Sequence, residues 1–139
     1  MSTHCFKPLT GQVGNIIDYV MDTPEVKPYH ELAYALRLVT EEIVVNINNY
    51  AYTDKEKGYL IVSIEKKEDN LIMEFRDGGV PFDPLVKEDP DITLPLEERK
   101  IGGLGIFLTK KLMDSLSYNR VSGENVLILV KHITNKKKN

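Results

Sequence analysis

Several things are scarce in this chain. It has one cysteine, Cys5, in 139 residues, so no disulfide framework can form within it, and a reducing, cytoplasmic setting is expected. No apolar run approaches the ~20 residues that a membrane-spanning helix needs, and the opening MSTHCFKPLT lacks the basic and apolar regions of a secretion signal. A basic excess is missing too. Eighteen Lys and Arg face 21 Asp and Glu, a net charge of −3, which argues against a nucleic-acid phosphate backbone as the main partner. The one basic cluster, Lys136 to Lys138, reads as a solvated tail over 134–139. Internal repeats and low-complexity segments are also absent.

What remains is an ordinary globular balance, 42% hydrophobic and 28% charged, with enough length for one domain over 1–139 and a real core. A short strand or arm is expected near 4–8. Val13, Ile16, Ile17 and Val20 recur at helical spacing, and Pro24 and Pro28 then break the pattern. A long helix is expected over 29–51. Two strands in hairpin relation come after it, turning at Glu68–Asn70. An aperiodic stretch comes next, whose middle, 85–101, is 17 residues long; connections of that length usually serve a binding site or are disordered. An amphipathic helix with Leu104, Phe107, Leu108, Leu112 and Met113 on one side precedes a closing hairpin around Gly123–Asn125. Strands come in adjacent pairs without strand–helix–strand alternation. The expected fold is therefore α/β in the α+β sense: a two-layer sandwich with a mixed, mostly antiparallel sheet and helices on one face.

Three clusters carry candidate chemistry. In EEIVVNINNYAY, three of the four residues 46–49 are asparagine, a mediocre helix former. Glu42 and Asn46 lie one turn apart and Asn49 falls on the same stripe, beside a core stripe of Leu32, Leu36, Val39, Ile43, Ile47 and Tyr50. Two readings stand. Either Asn46 and Asn49 satisfy a neighbouring loop and Glu42 is a rim charge, or the seam faces a ligand, a base beside an oxygen ligand for a hard cation. In RDGGVPFDP, Asp77 ends a strand and Gly78 and Gly79 allow unusual backbone angles; the segment is either a plain turn or a place where Asp77 accepts from an amino group while Gly79 admits a flat ring. In KIGGLGIFL, Gly102, Gly103 and Gly105 precede or open a helix, whose free N–H groups suit phosphate, although glycine there often only makes a turn. No G-K-[ST] comes after it and no β-α-β repeat surrounds it, which excludes the P-loop and dinucleotide fingerprints.

The order of these clusters resembles the ATP-binding domain of the GHKL superfamily, which takes in gyrase, heat-shock chaperones, histidine kinases and MutL. Within it the chain looks most like the small bacterial serine-kinase anti-sigma factors. EEIVVNINNYAY resembles the N box, DGGVPFDP and GGLGIFLTKKLMD the two glycine boxes, and LSYNR with GENVLILVK the closing hairpin. The resemblance implies Glu42 as general base and Asn46 as the ligand of Mg²⁺ bridging the ATP phosphates, with Asn49 beside it. It implies Asp77 as reader of the adenine amino group, with Gly79 giving room for the base. Lys100, Gly102, Gly103, Leu104 and Gly105 would wrap the phosphates, and Arg99 would stand near them. Residues 85–101 would form an ATP lid.

Two departures stand out. Ile128 occupies the place where many members carry a threonine near the adenine, and none of His4, His30 and His132 has the setting of a phosphoacceptor. The resemblance therefore implies a serine kinase that phosphorylates a STAS-domain anti-anti-sigma protein in partner switching, with ATP and Mg²⁺, and a homodimer. The alternatives are a non-catalytic ATP-binding module that sequesters a sigma factor or other partner, and a scaffold that has lost its nucleotide.

Overall fold

The computed structural model describes residues 1–52, 58–86 and 104–133. Five strands form one sheet: β1 (Ser2–Phe6), β2 (Leu60–Lys67), β3 (Asn70–Asp77), β4 (Ser115–Val121) and β5 (Glu124–His132). Their order is β1-β2-β3-β5-β4, and every neighbouring pair is antiparallel rather than mixed. Both hairpins are tight. Ser122 and Gly123 both take positive φ, the geometry whose twist matches that of paired strands. Glu68 alone takes it in the β2–β3 turn.

Period-two alternation sets which face is covered. Leu60, Val62 and Ile64 on β2, Leu71, Met73 and Phe75 on β3, and Leu127 and Leu129 on β5 are buried. They join Ile16 and Val20 of α1 (Val13–Asp22), Leu36, Val39 and Ile43 of α2 (Ala33–Asn46) and Ile106 of α3 (Leu104–Leu112) in one core. Each such side chain contributes about 1.5–3 kcal/mol on burial, so the sheet's inner face and the helix layer form one unit. The two-layer sandwich expected from the strand pairing is the architecture found.

The elements differ from expectation in instructive places. Helix α1 stops where Thr23 Oγ1 donates to Val20 O at 2.8 Å, just before Pro24. The expected 29–51 helix is three pieces: a 3₁₀ turn (His30–Leu32), α2, and a π turn (Ile47–Ala51). The π turn inserts an extra residue per turn and so rotates the residues within it away from the α-helical phase. Tyr50, expected in the core stripe, is therefore 47% exposed. In α3 the buried line is Ile106 and Thr109, continued by Met113 just past its end, while Leu108 reaches the surface. Most of 85–101 and all of 134–139 lie outside the described residues.

Candidate functional site

The helical spacing of Glu42 and Asn46 becomes a direct contact. Asn46 is 4% exposed. Its Nδ2 donates to the Glu42 carbonyl at 2.8 Å and to Glu42 Oε1 at 2.7 Å. Glu42 is half-buried, and the reason is Gly105 at the start of α3. A Cβ on Gly105 would lie 1.8 Å from Glu42 Cδ and 2.0 Å from Oε1. The carboxylate thus sits in the space that any side chain at 105 would fill. Thr109 Oγ1 donates to Gly105 O at 2.9 Å and steadies that first turn. Asn49, expected on the same stripe, is exposed and stands outside the Glu42–Asn46 pair.

At the end of β3, Asp77 is 2% exposed. Its Oδ1 accepts from Gly79 N and from Asn125 Nδ2, each at 2.9 Å. Burial pushes its pKa above the ordinary carboxylate value; the hydrogen bonds from Asn125 and Gly79 and the charge of Arg120 oppose the rise in part. Gly79 has a different neighbour from the one expected. A Cβ there would meet the carbonyl oxygen of Ala51 at 2.2 Å, and Val80 N donates to that oxygen at 2.8 Å. The space beside Gly79 is filled by the end of the π turn, not held open for a ring. Arg120 Nη1 donates to Gly79 O at 2.8 Å. Gly78 is clamped by two tyrosines: its N–H donates to Tyr52 Oη at 2.8 Å, and the Tyr59 ring covers its Cα. Tyr59 donates to Glu124, which also pairs with Arg76 Nη1 at 3.2 Å. Burial and the Glu124 carboxylate both raise the Tyr59 pKa.

Sequence reasoning missed Asn125. It lies directly opposite Asp77 in the β3–β5 register. Its Nδ2 donates to Asp77 Oδ1 and, at 2.8 Å, to Val80 O; its Oδ1 accepts from Phe82 N at 3.1 Å and from Tyr118 Oη. Ile128, expected near the adenine, is opposite Glu74 and belongs to the sheet's outer face, where it lines a groove with Ile72 and Glu74. Counting strand parity from the Ser122–Gly123 turn would have placed Asn125 inward and Ile128 outward.

The two clusters meet in one small cavity between α2 and the sheet. Asn46, Asp77 and Asn125 line it together with Ile43, Ile47, Leu127, Phe82, Pro84 and Tyr118, and the surface it exposes is apolar. Its free volume is about 10 Å³, roughly room for one water. A flat ring is larger than that volume. Leu104 opens α3; Arg99, Lys100, Gly102 and Gly103 lie outside the described residues.

Comparison with known proteins decides the family. The model of the histidine kinase-like ATPase domain matches residues 6–131. The chain belongs to that family. It is 28% identical over 101 residues to the serine/threonine-protein kinase BtrW of Bordetella bronchiseptica, covering 73% of this chain and 71% of that protein. It is 29% identical to the serine-protein kinase RsbW of Oceanobacillus iheyensis, covering 67% and 61%, and 29% identical to RsbW of Listeria monocytogenes serovar 1/2a, covering 77% and 70%. Among solved structures, the catalytic domain of the histidine kinase ThkA matches with a TM-score of 0.57 at 15% identity, over 98% of this chain and all of that one. The histidine kinase domain of a blue-light activated kinase from Erythrobacter litoralis matches with a TM-score of 0.55 at 16% identity, over 91% of this chain and 61% of that one. These last two likenesses establish the fold.

Proposed function

We propose that this chain is an ATP-dependent protein serine kinase of the anti-sigma-factor type, a single cytoplasmic domain that phosphorylates a STAS-like anti-anti-sigma partner and acts as a homodimer. The observation that carries the reading is the convergence of Glu42, Asn46 and Gly105 beside the Asp77-lined cavity. It puts a carboxylate, an amide oxygen and the first turn of a helix next to a wall that holds a second, buried carboxylate. The kinase names of the relatives support the reaction class.

Asp77 would accept from the adenine amino group, and the apolar wall of Ile43, Ile47 and Leu127 would face the ring. The start of α3 would hold the phosphate tail. The residues fit Mg²⁺: the Asn46 amide nitrogen is engaged twice by Glu42, and no hydrogen bond among the described residues occupies its Oδ1. That leaves a hard oxygen donor, the kind Mg²⁺ takes beside phosphates and waters. When bound, Mg²⁺ would neutralise charge on the phosphate oxygens. The partner's serine oxygen attacks the γ-phosphorus, Glu42 accepts the hydroxyl proton, and ADP departs with the electrons of the broken P–O bond. Lys100 and Asn49 are proposed phosphate-side contacts.

Glu42→Gln tests the assignment. The variant should bind ATP with affinity close to that of the parent and fail to phosphorylate its partner, because Glu42 acts on the hydroxyl. Unchanged phosphorylation would refute the base assignment.

A further inference from the structure

The Asn46 amide is held by two acceptors of the same residue, and this constrains which of its ends faces the ligand. A free asparagine amide presents oxygen or nitrogen with little preference, since a half-turn about its last bond exchanges the two. Here the half-turn is disfavoured. It would set Oδ1 against the Glu42 carbonyl and the Glu42 carboxylate, which now receive Nδ2 at 2.8 and 2.7 Å. Neither oxygen can donate, and the carboxylate carries a charge. The carboxylate has room at this position because Gly105 lacks the Cβ that would displace it, and the Gly105 carbonyl is tied to Thr109. A chain of contacts therefore runs from the glycine at the start of α3, through Glu42, to the amide of Asn46, a residue that lines the cavity.

We propose that Glu42, beyond its role toward the serine hydroxyl, is the positioning residue that fixes the Asn46 amide with Oδ1 toward the metal-binding side. This rests on the nucleotide-site reading above. The role needs only an acceptor atom, whereas proton removal needs a carboxylate, so the two roles separate by substitution. Glutamine keeps an oxygen that can receive Nδ2, and alanine does not.

The experiment measures ADP affinity by calorimetry, with Mg²⁺ and with EDTA, and reads the ratio of the two. The unmodified protein should bind ADP more tightly with Mg²⁺. Glu42→Gln should keep that ratio within about threefold, while Glu42→Ala should reduce it about tenfold, the scale of one lost hydrogen bond to a charged group. The side-chain NH₂ resonances of Asn46 in the nucleotide-free protein give a second readout independent of metal. They should be protected from solvent exchange in the unmodified protein and in Glu42→Gln, and exposed in Glu42→Ala. An undiminished Mg²⁺ ratio in a folded Glu42→Ala overturns the positioning role and leaves the nucleotide site standing, as does an equal loss in both variants. Absence of ADP binding by the unmodified protein overturns the nucleotide reading and the positioning role with it.

Discussion

Two glycines in the site lack a Cβ for different reasons, and replacing each by alanine should separate stability from activity. At Gly79 the obstacle is backbone: the new Cβ would meet Ala51 O at 2.2 Å and Ala51 C at 2.7 Å. Relief requires moving the end of the π turn off the loop, which breaks the Val80 N–H to Ala51 O bond. Overpacking of this kind costs about 1–3 kcal/mol, and the orphaned buried group adds about 1–3 kcal/mol. Gly79→Ala should therefore lose roughly 2–6 kcal/mol. With about 2–4 °C per kcal/mol for a domain of this size, the midpoint of thermal unfolding should fall by roughly 4–24 °C. At Gly105 the obstacle is the far end of the flexible Glu42 side chain, which can rotate away. Lost contact with Asn46 is offset by alanine's better helix propensity, up to about 1 kcal/mol. Gly105→Ala should therefore unfold within about 1 kcal/mol of the parent. Its carboxylate is displaced, however, and positioned acid–base groups contribute about 10²–10⁴-fold to rate. Single-turnover phosphoryl transfer to the partner should fall by a factor in that range. Urea unfolding and single-turnover kinetics on the two variants complete the assay. A Gly105→Ala protein with the parent's transfer rate, or a Gly79→Ala protein with the parent's stability, would refute the reasoning from these contacts.

Asp77→Asn keeps an oxygen for the Gly79 and Asn125 donors and removes a buried charge. The Asp77 pKa is raised in the folded state, so its ionisation penalises folding as pH rises from the ordinary carboxylate value through the raised one. Over that window, urea titrations should show the stability of the parent falling relative to Asp77→Asn, with the variant equal or more stable at neutral pH. Adenine nucleotide affinity should drop about 10–100-fold, the scale of a hydrogen bond to a charged acceptor; a parent that shows no such pH trend, or a variant that binds ATP normally, would contradict the assignment. Asn125→Ala removes the Asn125 acceptor of the Phe82 N–H and one of the two donors to Asp77 Oδ1, and should cost about 2–4 kcal/mol in chemical denaturation. Ile128→Thr, on the opposite face of the sheet, should leave nucleotide affinity unchanged in the same calorimetric titration.

The fold was legible because its signals are periodic. Alternation in β2 and β3 and the paired order of strands are enough to predict a sheet with one covered face, and both features survive errors of a residue or two in strand limits. Site geometry is less forgiving. Glu42 and Asn46 were readable because a fixed helical spacing, four residues, puts them in contact. Asn49 and Tyr50 were not, because the π turn begins at Ile47 and spacing ceases to report direction beyond it. No residue in 47–51 announces that turn locally. What holds it is tertiary: Ala51 O receives Val80 N across the Gly79 gap.

The misplacement of the adenine-side partner at Ile128 has a related cause. A strand read by composition alone has no phase, and in the apolar run from Val126 to Val130 nothing distinguishes inward from outward. The phase comes from the Ser122–Gly123 turn, which puts Asn125 opposite Asp77. Glycines were the third difficulty. Sequence marks Gly79 and Gly105 as important without saying what fills the vacant space. The occupants are an Ala51 carbonyl and the Glu42 carboxylate, both supplied by the helical stretch that carries Asn46. The glycines on the loop and on α3 thus let the helical stretch seat against both, so that Glu42 contacts Asn46 and Asn46 lines one cavity with Asp77; that arrangement is invisible in any single motif and arises only where three motifs meet.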